Sequence, residues 1–200
     1  SPPIIPLAAV ARENAAADVL DKRRSSRAGG AIDVASLASV LLAANRVVTF
    51  ATSDDGYTRS WRPNPSAGGR HPIDILVDAA DVDGLDAGCY WFDAFRWSLR
   101  LTSELPELTS ARRAVQAATD AENRPGAILF LVASFERTGS RYDHPASLVW
   151  RDAGALMAVL QLAATGAGLS SCPAATAGLL APDDGSVDVG AVILGSGERP

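Results

Sequence analysis

Apolar residues recur at helical spacing over residues 34 to 44, with Val34, Leu37, Leu41 and Ala44 on one face and Asp33 placed to cap the first turn. The same spacing predicts a helix over about 107 to 119, carried by Leu108, Ala111, Val115 and Ala118. A shorter helix over 12 to 22 leads into "DKRRSSRAGG". The longest helical pattern is "SLVWRDAGALMAVLQLAAT", 147 to 165. It is apolar nearly all round and should therefore be buried, with Gly154 open to close approach and Gly166 and Gly168 placed to end it.

Strand patterns lie between these helices. "IDILV", 73 to 77, follows a Gly-rich loop. "AILFLVAS", 127 to 134, is a continuous apolar run after Pro125-Gly126, as expected of a strand covered on both faces. "GCYWFDAFRWSLRL" reads as a hairpin turning at Asp93-Ala94, and "AVILG", 191 to 195, as the last strand. The start, "SPPIIPL", is Pro-rich and expected to be extended. Residues 45 to 70 read as one long connection, a length that usually signals function or cover by a neighbour. The small-residue segment "SSCPAATAG", 170 to 178, is either a linker or a backbone made for close approach. The order of elements gives an α+β class, a mixed sheet flanked by helices, in a single domain over 1–200.

Composition narrows the function classes. Hydrophobic residues make up 48% of the chain, enough for a sizeable core. A formal charge of -5 argues against a nucleic-acid partner. Cys89 and Cys172 are too few for a disulfide framework, and with only His71 and His144 a catalytic metal is not expected. No apolar run is long enough for a membrane span and the N-terminus lacks a signal-peptide pattern, so a cytoplasmic location is expected.

Three segments could carry chemistry. "RRSSR", 23 to 27, packs three guanidiniums and two hydroxyls into five residues, which suits a phosphate; it also suits a solvated patch at a helix end. "PSAGG", 65 to 69, offers backbone N–H groups with no bulky side chains in the way, or is an ordinary turn. "SSCPAATAG" is the third. His71, before Pro72, either faces a site or is satisfied by backbone; the four tryptophans are expected as core or dimer contacts, with Trp61, on the long loop, the one to watch as a substrate contact.

Taken in order, "RRSSR", "PSAGGRHPIDILV", "GCYWFDAFRWSLRL", "WRDAGALMAVLQLAATGAGLSSCP" and "VILG" resemble the FMN-dependent nitroreductase superfamily over nearly the whole chain. Within it the chain is most similar to the SagB-type branch, which dehydrogenates thiazolines and oxazolines in peptide natural products. The resemblance implies an intertwined homodimer with two FMN sites at the subunit interface, and hydride transfer between flavin N5 and a peptide-derived or small heterocyclic substrate. Arg23 and Ser25 match the phosphate grip, Arg24 between them is counted as cofactor-binding, and Arg27 matches the cation beside the pyrimidine edge. Pro65, Ser66, Ala67 and Gly68 match the segment that approaches the flavin from the partner, and Pro173 and Ala174 match the backbone near N5. Arg141-Tyr142, in "SRYDHP", matches a catalytic Lys-Tyr doublet with Arg in place of Lys, and Arg199 is the only late candidate for a further phosphate contact. Two other activities stay open: reduction of nitroaromatics or quinones with NAD(P)H, and a non-catalytic flavin-binding subunit of a biosynthetic complex.

Overall fold

The computed structural model describes residues 15–54, 56–102, 107–119, 124–180 and 185–197. Its centre is a six-stranded sheet. In chain order the strands are β4 (Ile73–Ala79), β6 (Gly88–Asp93), β7 (Ser98–Leu101), β8 (Ala127–Ala133), β9 (Ser170–Ala174) and β10 (Val187–Gly195). They lie side by side as β7-β6-β4-β8-β10-β9, and every neighbouring pair is antiparallel. Parallel pairing among the described residues is confined to the two-residue ladder of β1 (Ile32–Asp33) with β5 (Val82–Asp83) and a bridge from Gly30 to Pro125. The mixed character expected of the sheet thus sits outside its six main strands.

The continuous apolar runs of β4 and β8 are explained by cover on both faces. Ile75, Val77, Leu129 and Leu131 pack beneath α2 (Val34–Asn45) and α5 (Pro145–Gly166). Leu76, Ile128 and Phe130 face the other way, into a cluster with Leu108, Ala111 and Val115 of α3 (Leu108–Thr119). α2 begins where its cap predicts: Asp33 Oδ1 accepts from Ser36 N at 2.8 Å. α1 (Ala15–Lys22) packs on α5, and the expected residues 12 to 14 of that helix lie outside the described residues, as do "SPPIIPL" and Arg199.

Two expectations need correction. Residues 45 to 70 are not one loop: β2 (Thr49–Thr52) and β3 (Thr58–Trp61) form a separate hairpin, followed by a tight turn over Ala67–Gly69. All four residues of β2 are exposed, so no hydrophobic alternation marked it. The segment from 170 is not a linker at its start, because Ser170–Ala174 is the edge strand β9, held by five Cα-paired positions on β10. Within one chain, α5 is buried on one face. Val149, Ala153, Leu156, Leu160 and Ala164 are inside, while Trp150, Arg151, Gly154 and Ala158 line an exposed stripe. The short α4 (Phe135–Gly139) was not anticipated. Among the described residues, no helix is long and apolar enough to cross a membrane and no cluster of His, Cys, Asp or Glu could hold a metal ion.

Candidate functional site

Two groups of polar residues meet α5 near its opposite ends. At the N-terminal end the Gly-rich loop is tied to the helix by Asp152, which is buried. Its carboxylate accepts from Ser66 Oγ at 2.6 Å and from Ala67 N at 3.2 Å. Ser66 Oγ in turn accepts from His71 N at 2.8 Å, which closes the loop on itself. The turn needs glycine: Gly68 and Gly69 have φ of 61° and 64°, in the left-handed region. A Cβ on Gly68 would also lie 2.7 Å from Tyr142 Oη, so the Tyr142 ring end rests against bare backbone. Tyr142 and the loop, read separately in the sequence, are therefore brought together. Arg141, its neighbour, is exposed.

His71 shares this end of the helix. It is buried and has φ of 41°, a left-handed conformation that costs a non-glycine residue energy. Burial, and then the Arg62 guanidinium, push its pKa down from the ordinary histidine value to about 4. The ring is neutral at pH 7, so Nε2–H donates to the Ser60 carbonyl at 2.9 Å and Nδ1 is the acceptor. That Nδ1 is buried with no hydrogen-bond partner.

At the other end, Gln161 gathers the basic segment. Its Oε1 accepts from Arg23 Nη1 at 3.3 Å and Ser25 Oγ at 3.4 Å, both long contacts. Ser26 N donates to the Ser171 carbonyl at 2.8 Å and so lays residues 23–27 beside β9, which carries Pro173 and Ala174. Ser171 Oγ is buried there with no partner. Arg23, Ser25 and the backbone of β9 are thus brought to one place, donors suited to a phosphate monoester, and Arg27 follows on the same segment and is exposed. Arg24 does not join them. Its guanidinium donates to the Asp21 and Arg23 carbonyls at 2.8 Å and closes the end of α1.

Asp152 and Gln161 are nine residues apart, about 13 Å along the helix. The Ser66–Gly68 loop and the Arg23–Ser25 segment are therefore held at separate places in one chain. Neither Asp152, Gln161 nor Ser171 was singled out in the sequence. Gln161 carried the available signal, a polar residue inside the apolar run "MAVLQLAA", whereas Asp152, next to Arg151, carried none.

No protein-family model matches the sequence, and no curated protein matches it. Solved structures do match in fold. A candidate nitroreductase from Anabaena variabilis superposes with TM-score 0.66 at 20% identity over 80% of this chain; the chain spans only 34% of that protein's length. The Escherichia coli microcin synthetase McbBCD complex, solved with truncated pro-MccB17 bound, contains a chain that matches with TM-score 0.68 at 16% identity, over 96% of this chain and 76% of its own. A candidate nitroreductase from Desulfovibrio desulfuricans, in complex with FMN, matches with TM-score 0.56 at 18% identity over 94% of both chains. The chain has the nitroreductase fold.

Proposed function

We propose that the protein is an FMN-dependent oxidoreductase that works as a homodimer. The carrying observation is the separation of two ligand-suited groups along α5. The exposed stripe of Trp150, Gly154 and Ala158 runs along the same helix and suits a second copy of it. A two-fold pairing on that stripe sets the Pro65–Gly68 loop of one chain over the Arg23–Ser25 segment of the other. Arg23 and Ser25 would hold the phosphate, and Arg27 would stand by the ring's pyrimidine edge, where negative charge grows on reduction; Pro173 and Ala174 would back the ring from β9, and the bare Pro65-Ser66-Ala67-Gly68 backbone would face it from the partner. Bound FMN supplies two-electron redox chemistry. The FMN-bound neighbour of the same fold supports this cofactor.

The reading of the substrate class is supported by the resemblance to the SagB-type branch and by the likeness to a chain of the microcin synthetase complex with truncated pro-MccB17 bound. We assign oxidation of a peptide-derived or small heterocyclic substrate. Tyr142, at the loop, would take the proton released as hydride leaves the substrate, with Arg141 next to it in sequence. The location is cytoplasmic. Purified protein should show flavin absorbance, release FMN and not FAD, and run as a dimer by light scattering. A thiazoline peptide should then be oxidised faster than NAD(P)H with a quinone. A colourless protein that takes up no flavin would overturn the cofactor, a monomer that still holds FMN would overturn the shared site, and faster NAD(P)H oxidation would move the substrate to the reductase class.

A further inference from the structure

A cavity of about 730 Å³ opens at the end of the sheet where β4 begins, beside the β2–β3 hairpin and α4. It contains none of the residues assigned above to the cofactor. Four guanidiniums line it, from Arg62, Arg70, Arg100 and Arg137, against two carboxylates, Asp74 and Asp93. Both carboxylates are already engaged. Arg137 forms a forked pair with Asp74, and Arg96 pairs with Asp93 at 2.9 Å. Arg62 and Arg100 have no carboxylate within 4 Å among the described residues, in a chain whose net charge is -5.

Arg62 is the more constrained of these two. Nε donates to Ser60 Oγ and Nη1 to Asn45 Oδ1, both at 3.1 Å, which points the group and leaves Nη2 uncommitted. Arg100 sits on the edge strand β7, paired in register with Trp91, so both residues stand on the same side of the sheet. Trp91 and Phe95 give the wall flat apolar surface, and the Arg62 guanidinium lies 5.9 Å from the Phe95 ring centroid. His71 also lines the cavity, and its partnerless Nδ1 is a polar atom 5% exposed at the residue level that no protein group satisfies.

We propose that this cavity is a binding site for a small planar organic anion, a carboxylate or a phosphate ester. The guanidiniums of Arg62 and Arg100 hold the anionic group and the aromatic wall holds the body of the ligand. Ser60, Arg62 and His71 line both this cavity and a second one bounded by Pro65, Ser66, Gly68 and Gly69, so the site adjoins that loop.

The test titrates the full chain as purified with benzoate, phenyl phosphate and neutral benzamide, reading tryptophan emission and heat. Saturable binding of benzoate identifies a carboxylate site and saturable binding of phenyl phosphate a phosphate site; either supports the proposal if benzamide binds at least roughly tenfold more weakly. Arg62→Ala and Arg100→Ala should each weaken the anion by about 10- to 100-fold, while Arg113→Ala, on the exposed side of α3, should not. Arg100 is exposed, so its variant decides the matter should Arg62→Ala fail to fold. Equal binding of benzamide, no saturation by either anion up to about 10 mM, or wild-type affinity in Arg100→Ala would overturn the site. So would loss of phenyl phosphate binding in Arg23→Ala, because the probe would then be reading the cofactor's phosphate grip instead.

Discussion

The two ends of α5 do different work with similar materials. At Asp152 the contacts are multiple and gather on a buried residue: one carboxylate, one hydroxyl and two backbone N–H groups lock a turn. At Gln161 an arginine and a serine share one amide oxygen at 3.3 and 3.4 Å. The first arrangement spends its hydrogen bonds on shape and presents backbone. The second holds its donors loosely and keeps them available. A protein that must offer a fixed wall on one side of a ligand and an ionic grip on the other needs both kinds of end.

That contrast can be broken most severely at the tight end. Asp152→Ala leaves Ser66 and Ala67 without their charged acceptor and should cost about 3 kcal/mol. In a chain of this size that corresponds to a melting temperature lower by about 6–12 °C by calorimetry. A change under about 2 °C would mean that the loop holds its shape without the helix.

The pH response of the same end is next. The folded pKa of His71 lies near 4, below the unfolded value of about 6.5. As pH falls, the unfolded chain takes up the proton first, so the contribution is complete above about pH 6.5 and is lost toward pH 4. Up to about 3 kcal/mol of stability is at stake across that window. Denaturant titrations at pH 7 and pH 4.5 should show a larger difference for wild type than for His71→Gln; equal differences would place the acid sensitivity elsewhere.

The loose end should behave oppositely. Arg23→Ala should leave the melting temperature of the flavin-free chain within about 2 °C. Its FMN affinity should fall by about 10- to 100-fold in a fluorescence-quenching titration, the loss expected for a charge-assisted bond. Arg24→Ala, whose guanidinium faces the end of α1, should change FMN affinity by less than about threefold. Equal losses in the two variants would reassign Arg24 to the grip.

The smallest effect sharpens the tight end from within. Gly68→Ala meets both a φ of 61° and the Tyr142 hydroxyl, and should cost about 1–2 kcal/mol. In a Tyr142→Phe background part of that cost should disappear, since the atom in the way is gone. A double-mutant cycle with no coupling would show that the ring simply swings aside.

Much of the fold was legible because it is written in local periodicity. Asp33 and the Leu37–Leu41 stripe marked α2, and the unbroken apolar run at 127 marked β8 as covered on both faces. The β2–β3 hairpin left no such trace, because Phe50 and Trp61 are exposed and the hairpin pairs only with itself. β9 was hidden for another reason: Ser-Ser-Cys-Pro-Ala has little β-propensity, and it is a strand because β10 pairs with it. At the site, "RRSSR", "PSAGG" and Tyr142 could be singled out as motifs. Asp152 could not, since next to Arg151 it reads as one more surface charge, and its role depends on a loop 86 residues away.

The stretch that carries Arg23, Ser25 and Arg27 has a second neighbour. β9 is a terminal strand of the sheet, and such a border is where sheets of separate molecules join into aggregates. Ser26 N covers the Ser171 carbonyl on that border, and Ser170 Oγ fastens the chain by donating to the Ala28 carbonyl at 2.7 Å. At Gly195 a side chain would strike the Ala28 carbonyl oxygen at 2.6 Å, so the seal closes flush. Pro173 adds its own protection by having no N–H to offer. The segment assigned to ligand binding is thus also the molecule's guard against sticking to its copies. Substitutions that loosen its backbone should then carry a penalty in solubility and yield that its guanidinium chemistry alone would never suggest.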